Sequence, residues 1–184
     1  MNGDIEIDVM NSLGFDVVCL GNHEFDNGTK ELARRLKNLK AKVVCANYDF
    51  EDSPLEDVVH PYVIIKKAGM KIGVIGLLTD IRRVVDKKIA AEFSYIEPAD
   101  VVNRYAEYLK NEKGCDLVMC LSHLGYEEDK EVAALIRNVD VIVGGHTHTL
   151  LHKKQEVKDL DGKPVVIVQN WKWGLNVGVL DIKY

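Results

Sequence analysis

The sequence lacks the features that mark a membrane protein or a nucleic-acid-binding protein. No apolar run approaches the roughly 20 residues that a transmembrane helix needs. Lys and Arg number 24 while Asp and Glu number 29, so the formal net charge of −5 gives no basic surface for nucleic acid or anionic lipid. The chain also opens without a basic segment followed by an apolar stretch, which is the pattern of a signal peptide. We therefore expect no membrane partner and no nucleic-acid partner.

Cysteine is scarce, with 4 residues in 184. Cys19, Cys45 and Cys120 lie in apolar runs, where cysteine behaves as a small hydrophobic residue. Cys115 and Cys120 are not spaced as the cysteines of a metal site are. We expect free, buried thiols, which do not identify the redox compartment.

What the sequence does have is ordinary globular composition, with 47% hydrophobic and 29% charged residues. Four apolar runs are typical of buried strands, at 15–20, 41–46, 116–121 and 139–143. Helical periodicity lies between or beside these runs, at 29–39, 98–114 and 128–137. This alternation predicts an α/β fold with a largely parallel sheet, in one domain that spans residues 1–184.

Two regions predict antiparallel pairing. Residues 62–66 and 71–77 have the pattern of a hairpin whose turn contains Gly69, because glycine reaches a positive φ without strain. The C-terminal part has no helical periodicity, and two strands are expected there at 165–169 and 177–182.

Three polar segments follow directly on predicted strands: GNHEFD at 21–26, SHLG at 122–125 and GGHTH at 144–148. Open α/β sheets bind ligands at the carboxyl ends of their parallel strands. His23, His123, His146 and His148 all lie in these segments, out of 6 histidines in the chain. One histidine after a strand is usually an ordinary loop residue. Four histidines at the ends of three strands favour a metal site, because imidazole is the commonest ligand of transition metals in proteins.

These three motifs, together with the segments MNSLGFDVVCL, CANYDF, KIGVIGLLTD and PVVIVQ, resemble the calcineurin-like metallophosphoesterase superfamily. Within it, the chain is similar to the catalytic domain of bacterial 5′-nucleotidases and 2′,3′-cyclic nucleotide phosphodiesterases. The resemblance covers nearly the whole chain. It implies an α/β fold in which two facing mixed β-sheets are flanked by helices.

The resemblance also implies a metal centre. It assigns Asn22, His123 and His146 to one metal ion and His148 to a neighbouring one. In the family, two divalent ions hold a bridging hydroxide that attacks the phosphorus of a nucleotide or another phosphoester substrate. Nitrogen and oxygen ligands bind Mn, Zn, Co and Fe alike, so the ligand types do not identify the metal. Relatives act in the periplasm or at the cell surface, so the resemblance implies the same localisation here.

His23 and Asp26 match the catalytic pair of the family. The resemblance implies that His23 stabilises or protonates the leaving oxygen while Asp26 orients its imidazole. An alternative for Asp26 is an N-cap of the helix predicted to begin near Thr29, because Asp is a favoured residue at that position.

The chain departs from the family in one respect. The family begins with an Asp-x-His motif and a Gly-Asp motif, which precede the segment where this sequence starts and which supply further metal ligands. Asp4 follows a glycine, but its spacing from the next strand predicts the first turn of a helix instead. We therefore expect a domain without its N-terminal strands, which binds one metal ion weakly or none and has little phosphatase activity alone.

Two other possibilities remain open from the sequence. One is a catalytically impaired remnant that serves as an interaction module, and the other is a mononuclear zinc hydrolase built on Asn22, His123 and His146. A partner segment or domain that supplies the missing strands and the substrate specificity is a further expectation.

Overall fold

A computed structural model describes residues 3–182 of the chain. Its strands are β1 (Val17–Cys19), β2 (Lys42–Val44), β3 (Tyr48–Asp49), β4 (Val59–His60), β5 (Tyr62–Lys67), β6 (Met70–Leu78), β7 (Ser94–Tyr95), β8 (Leu117–His123), β9 (Val141–Gly144), β10 (Gln155–Lys158) and β11 (Pro164–Gln169). Its helices are α1 (Asp4–Leu13), α2 (Thr29–Leu36), α3 (Lys87–Ala90), α4 (Pro98–Glu107) and α5 (Tyr126–Ala134). Within this part of the chain, no helix is both long and apolar enough to cross a membrane.

Two sheets form the framework. The larger has six strands in the order β10-β11-β9-β8-β6-β5, and it is mixed because β11, β9, β8 and β6 are parallel while the edge strands β10 and β5 are antiparallel to their neighbours. The smaller has the order β1-β2-β4 and is parallel throughout. Strands β3 and β7 make a short antiparallel pair. The predicted α/β architecture is thus confirmed.

The two sheets face each other at very close range around Gly76 of β6. The amide of Ala46 donates to the carbonyl of Gly76 at 2.8 Å, so strand β6 touches the end of β2 directly. A Cβ atom added to Gly76 would overlap the backbone of Val44. Only glycine permits this contact, which fixes the distance between the sheets.

Apolar side chains bury both outer faces of this framework. Val102, Ala106 and Leu109, from α4 and the π-helical turn that continues it, are fully buried against the six-stranded sheet with residues of α5. A second cluster includes Phe25 and Leu32 and packs α2 on the three-stranded sheet. The four cysteines are free thiols; three are buried, as expected, whereas Cys19 is only half-buried.

Local chemistry explains the elements whose prediction is confirmed. The hairpin β5–β6 turns at Ala68 and Gly69, with φ of 50° and 81°, which matches the right-handed twist of the two strands. Pro98 is the first residue of α4, where its missing N–H costs nothing. Asp4 is the first residue of α1, and its negative carboxylate interacts favourably with the positive end of the helix dipole.

The strand expected at 177–182 is wrong. These residues have no regular structure, and the side chains of Val177 and Val179 are 89% and 83% exposed. The reason is pairing: β11 already has β9 on one edge and β10 on the other, so no edge of β11 is free for a following strand. The antiparallel partner of β11 is β10, which precedes it in the chain.

Candidate functional site

The carboxyl ends of β1, β8 and β9 bring the three polar segments together. Strands β8 and β9 are neighbours in the six-stranded sheet, and β1 contributes its segment from the facing sheet. Asn22, which is 5% exposed, has its Oδ1 atom 3.1 Å from Nε2 of His123. The rings of His123 and His146 have their centroids 5.1 Å apart. Three of the four expected metal ligands therefore converge, although Asn22 and His123 are 101 residues apart in sequence.

Glycines make room for these side chains. A Cβ atom on Gly21 would lie 2.9 Å from Cε1 of His123, and one on Gly145 would lie 3.1 Å from Nδ1 of the same ring. The first distance is shorter than real Cβ contacts and the second is tighter than most of them, so glycine at both positions leaves room for the imidazole.

Burial keeps the central imidazoles neutral. Burial, followed by the neighbouring imidazoles of His146, His23 and His148, lowers the pKa of His123 to about 4. Burial also lowers the pKa of His146. A neutral imidazole has a free lone pair, which is the form that binds a metal ion.

His23 and Asp26 lie at the open side of this group. Nδ1 of His23 is 3.0 Å from Oδ2 of Asp26, and the two side chains are 82% and 56% exposed. This contact fixes the ring and leaves Nε2 directed away from the carboxylate. The alternative of Asp26 as a helix cap is wrong, because Gly28 precedes the first residue of α2 and no side chain caps that end.

His148 does not join the contact between Asn22 and His123. It is exposed, and its backbone has a φ of 53°. Within residues 3–182, no three or more His, Cys, Asp and Glu side chains are close enough together to hold a metal ion. The described chain thus brings Asn22, His123 and His146 together, and His148 stands apart from the contact between Asn22 and His123.

The converging atoms have the spacing of ligands on a common ion. Two ligand atoms with bonds of about 2.1 Å to one metal lie roughly 3 Å apart when their bonds are near a right angle. Oδ1 of Asn22 and Nε2 of His123 are 3.1 Å apart, which fits this spacing and is also a hydrogen-bond distance. One amide oxygen and two imidazoles suit a first-row divalent cation and leave further coordination positions open.

Sequence reasoning missed the polar residues beneath this group. Asp129 of α5 is fully buried and contacts the hydroxyl of Ser122, the residue before His123. Burial raises the pKa of Asp129 to about 7. In sequence, Asp129 lies in the charged stretch EEDKE, whose composition is that of an exposed helix, so nothing distinguished it from its solvated neighbours.

Comparisons with known proteins identify the family of this chain. Residues 6–150 match the family model of the calcineurin-like phosphoesterases. The chain is 34% identical to a Treponema pallidum protein named "Probable 5'-nucleotidase", over 96% of this chain and 32% of that protein. It is 32% identical to the snake venom 5′-nucleotidase of Gloydius brevicauda, over 94% of this chain and 32% of that protein.

A solved structure shares the fold. The crystal structure of a 5′-nucleotidase precursor from Thermus thermophilus superposes with a TM-score of 0.88 at 35% sequence identity, over 94% of this chain and 36% of that one. The chain thus spans about a third of the length of these relatives. The family match covers most of the chain, and the chain belongs to the calcineurin-like phosphoesterase family.

Proposed function

We propose that this chain takes part in the metal-dependent hydrolysis of phosphoesters, with nucleoside 5′-monophosphates as the substrate class. The observation that carries the proposal is the convergence of Asn22, His123 and His146 beside the His23–Asp26 pair. The relatives are named 5′-nucleotidases, which supports nucleotides over other phosphoesters.

In this proposal, Asn22, His123 and His146 hold one divalent ion and His148 belongs to a second. Bound ions of this kind neutralise phosphate oxygens and lower the pKa of a coordinated water. The buried neutral state of His123 supports its role as a ligand, because no proton must first be removed above about pH 4.

The exposed pair acts on the leaving group. Nε2 of His23 donates a proton to the oxygen that leaves the phosphorus, and the ring therefore carries that proton before the bond breaks. The contact between Nδ1 of His23 and the Asp26 carboxylate supports this role, because it orients the ring and leaves Nε2 free to face a substrate. The exposure of both side chains leaves room for a substrate to approach.

We propose that a further polypeptide segment, lying along β1, supplies the remaining ligands of the second ion. Among the described residues β1 pairs with β2 alone, and the three-stranded sheet faces a sheet of six strands. A strand beside β1 would extend the smaller sheet over the larger one. The alternative, a mononuclear zinc hydrolase, is supported by the single group of three converging ligands.

Metal binding tests the site directly. The isolated chain should take up at most one Co²⁺ ion, followed by its visible absorption and by calorimetry. His123→Ala should weaken this binding by at least about tenfold, while His152→Ala, at an exposed histidine outside the site, should not. Equal affinity in wild type and His123→Ala would contradict the ligand assignment.

Hydrolysis tests the reaction. Release of phosphate from AMP and from a chromogenic phosphate ester should be measured with Mn²⁺ or Co²⁺, with and without a segment that supplies the upstream family motifs. His23→Asn should lower kcat by about a hundredfold or more, and His152→Asn is the matched control. Full turnover by the chain alone with one bound ion would favour the mononuclear alternative.

We also propose that the protein acts outside the cytoplasm. The similarity to a snake venom enzyme supports this, because venom proteins act after secretion. Immunodetection in periplasmic, surface and cytoplasmic fractions of the source cells tests the proposal, and recovery in the cytoplasmic fraction alone would contradict it.

A further inference from the structure

The GGHTH turn holds its histidines in an unfavourable backbone conformation. His146 and His148 have φ of 67° and 53°, a region that L-residues with a side chain rarely occupy. The amide of Thr147 donates to the carbonyl of Gly145 at 2.8 Å and so closes a three-residue turn around His146. Turns of this size with a positive φ at the centre are strained. Such a conformation persists only where the surrounding structure imposes it.

Gln169, the last residue of β11, contacts this turn from below. Its side chain is 3% exposed, and Nε2 donates to the carbonyl of Gly145 at 2.8 Å. The Gly145 carbonyl thus accepts both the Thr147 amide and the Gln169 carboxamide. The side chain of Gln169 also lies 3.3 to 3.4 Å from the hydroxyl of Thr147.

The hydroxyl of Thr147 joins the turn to α5. It accepts a hydrogen bond from the amide of Tyr126, the first residue of that helix, at 3.1 Å. It is also 3.0 Å from the hydroxyl of Thr149. The turn therefore has two supports: the end of β11 through Gln169 and the start of α5 through Thr147.

The position of Gln169 in its strand calls for an apolar residue. Side chains alternate between the two faces of a strand, and Val165, Ile167 and Gln169 share the buried face of β11. A carboxamide on that face loses its hydration, and this loss is offset only by well-placed partners. The partners of Gln169 are the backbone and the hydroxyl of the histidine turn, so its polarity serves that turn.

We infer that Gln169 is a positioning residue for His146 and His148. It acts through its hydrogen bonds to the Gly145 carbonyl and the Thr147 hydroxyl. Its side-chain contacts are with the turn itself, at Gly145 and Thr147. The inference rests on the proposed function only where it concerns metal binding. The hydrogen bonds from Gln169 to the turn are present in the protein without metal.

Hydrogen exchange measured by NMR on the metal-free chain is the first test. The side-chain amide protons of Gln169 should exchange at least about tenfold more slowly than those of exposed Gln155 on neighbouring β10. This comparison uses the wild-type chain and so is independent of how well any variant folds. Equal exchange rates would overturn the inference.

Matched variants are the second test. Gln169→Met keeps the volume and removes the donor, and Gln155→Met makes the same change on the adjacent strand. Gln169→Met should speed exchange of the Thr147 amide about tenfold and weaken Co²⁺ binding about tenfold, while Gln155→Met should change neither. Unchanged Thr147 exchange in a folded Gln169→Met chain would overturn the inference.

The metal readout separates the inference from the proposed function. One outcome is that wild type binds no Co²⁺, while its Gln169 amide protons are protected and Gln169→Met speeds exchange of the Thr147 amide. The hydrogen bonding of Gln169 to the turn is then confirmed and the metal proposal fails. If Co²⁺ binds wild type and Gln169→Met equally, the metal proposal stands and the positioning role of Gln169 is refuted.

Discussion

Replacing Asp129 by asparagine should remove a large part of the pH dependence of this protein's stability. The Asp129 carboxyl is fully buried, and within the described residues its Oδ2 atom has no hydrogen-bond partner. Burial raises its pKa from 3.8 to about 7. The folded state therefore favours the protonated carboxyl more than the unfolded state does. The stabilisation is fully present below about pH 4 and is lost as the pH rises through about 7.

The magnitude follows from the pKa change. A rise from 3.8 to about 7 corresponds to about 4 kcal/mol of unfolding free energy between pH 4 and pH 8. Asparagine has the same shape and cannot ionise, and its carbonyl oxygen still accepts from Ser122. The difference in stability between Asp129→Asn and wild type should therefore grow in favour of the variant as the pH rises.

Urea denaturation followed by far-ultraviolet circular dichroism, at several pH values and with a chelator present, measures this difference. Asp57→Asn, at an exposed aspartate, is the matched control and should track wild type at every pH. The contributions of all other titrating groups to the pH dependence of stability cancel in the comparison between variants. If the stability difference between Asp129→Asn and wild type stays constant from acid to alkaline pH, the argument from burial is refuted.

Two further predictions concern the imidazole group and the contact between the sheets. In the metal-free chain, the ring of His123 should titrate near pH 4 by NMR, because burial and neighbouring imidazoles disfavour its charged form, and a midpoint at the ordinary value of 6.5 would contradict this. Gly76→Ala should lower the free energy of unfolding by about 1–3 kcal/mol, because its methyl group would overlap the Val44 backbone. The added methyl of Gly178→Ala would meet nothing closer than 3.6 Å, so this control should change stability by less than about 0.5 kcal/mol in the same urea assay.

The approximate location of the site was accessible from sequence because it depends on strand ends. Residues after parallel strands meet at one edge of a sheet whatever the loops between them do. This reasoning brought Asn22, His123 and His146 together correctly. It also named His23 and Asp26, whose contact depends on a short helical turn at 23–25 that the motif itself encodes.

The supporting residues were not accessible in the same way. Asp129 and Gln169 become distinctive only through what surrounds them, since one lies in a charged helix and the other ends an apolar strand. Burial of a polar side chain is decided by elements far away in sequence. The same is true of 177–182, whose alternating pattern suits a strand, although the preceding strand β11 already has a neighbour on each edge.

The sequence by itself determined most of the elements and the family, through the period of apolar residues, the turn at Gly69, the helix start at Pro98 and the three histidine motifs. These are local properties, because periodicity and turn chemistry act over a few neighbouring residues. The tertiary structure alone decided the strand order, the contact of the two sheets at Gly76 and the buried partners beneath the histidines. Those features depend on which distant surfaces exclude water together, and a single chain position does not encode its distant neighbours.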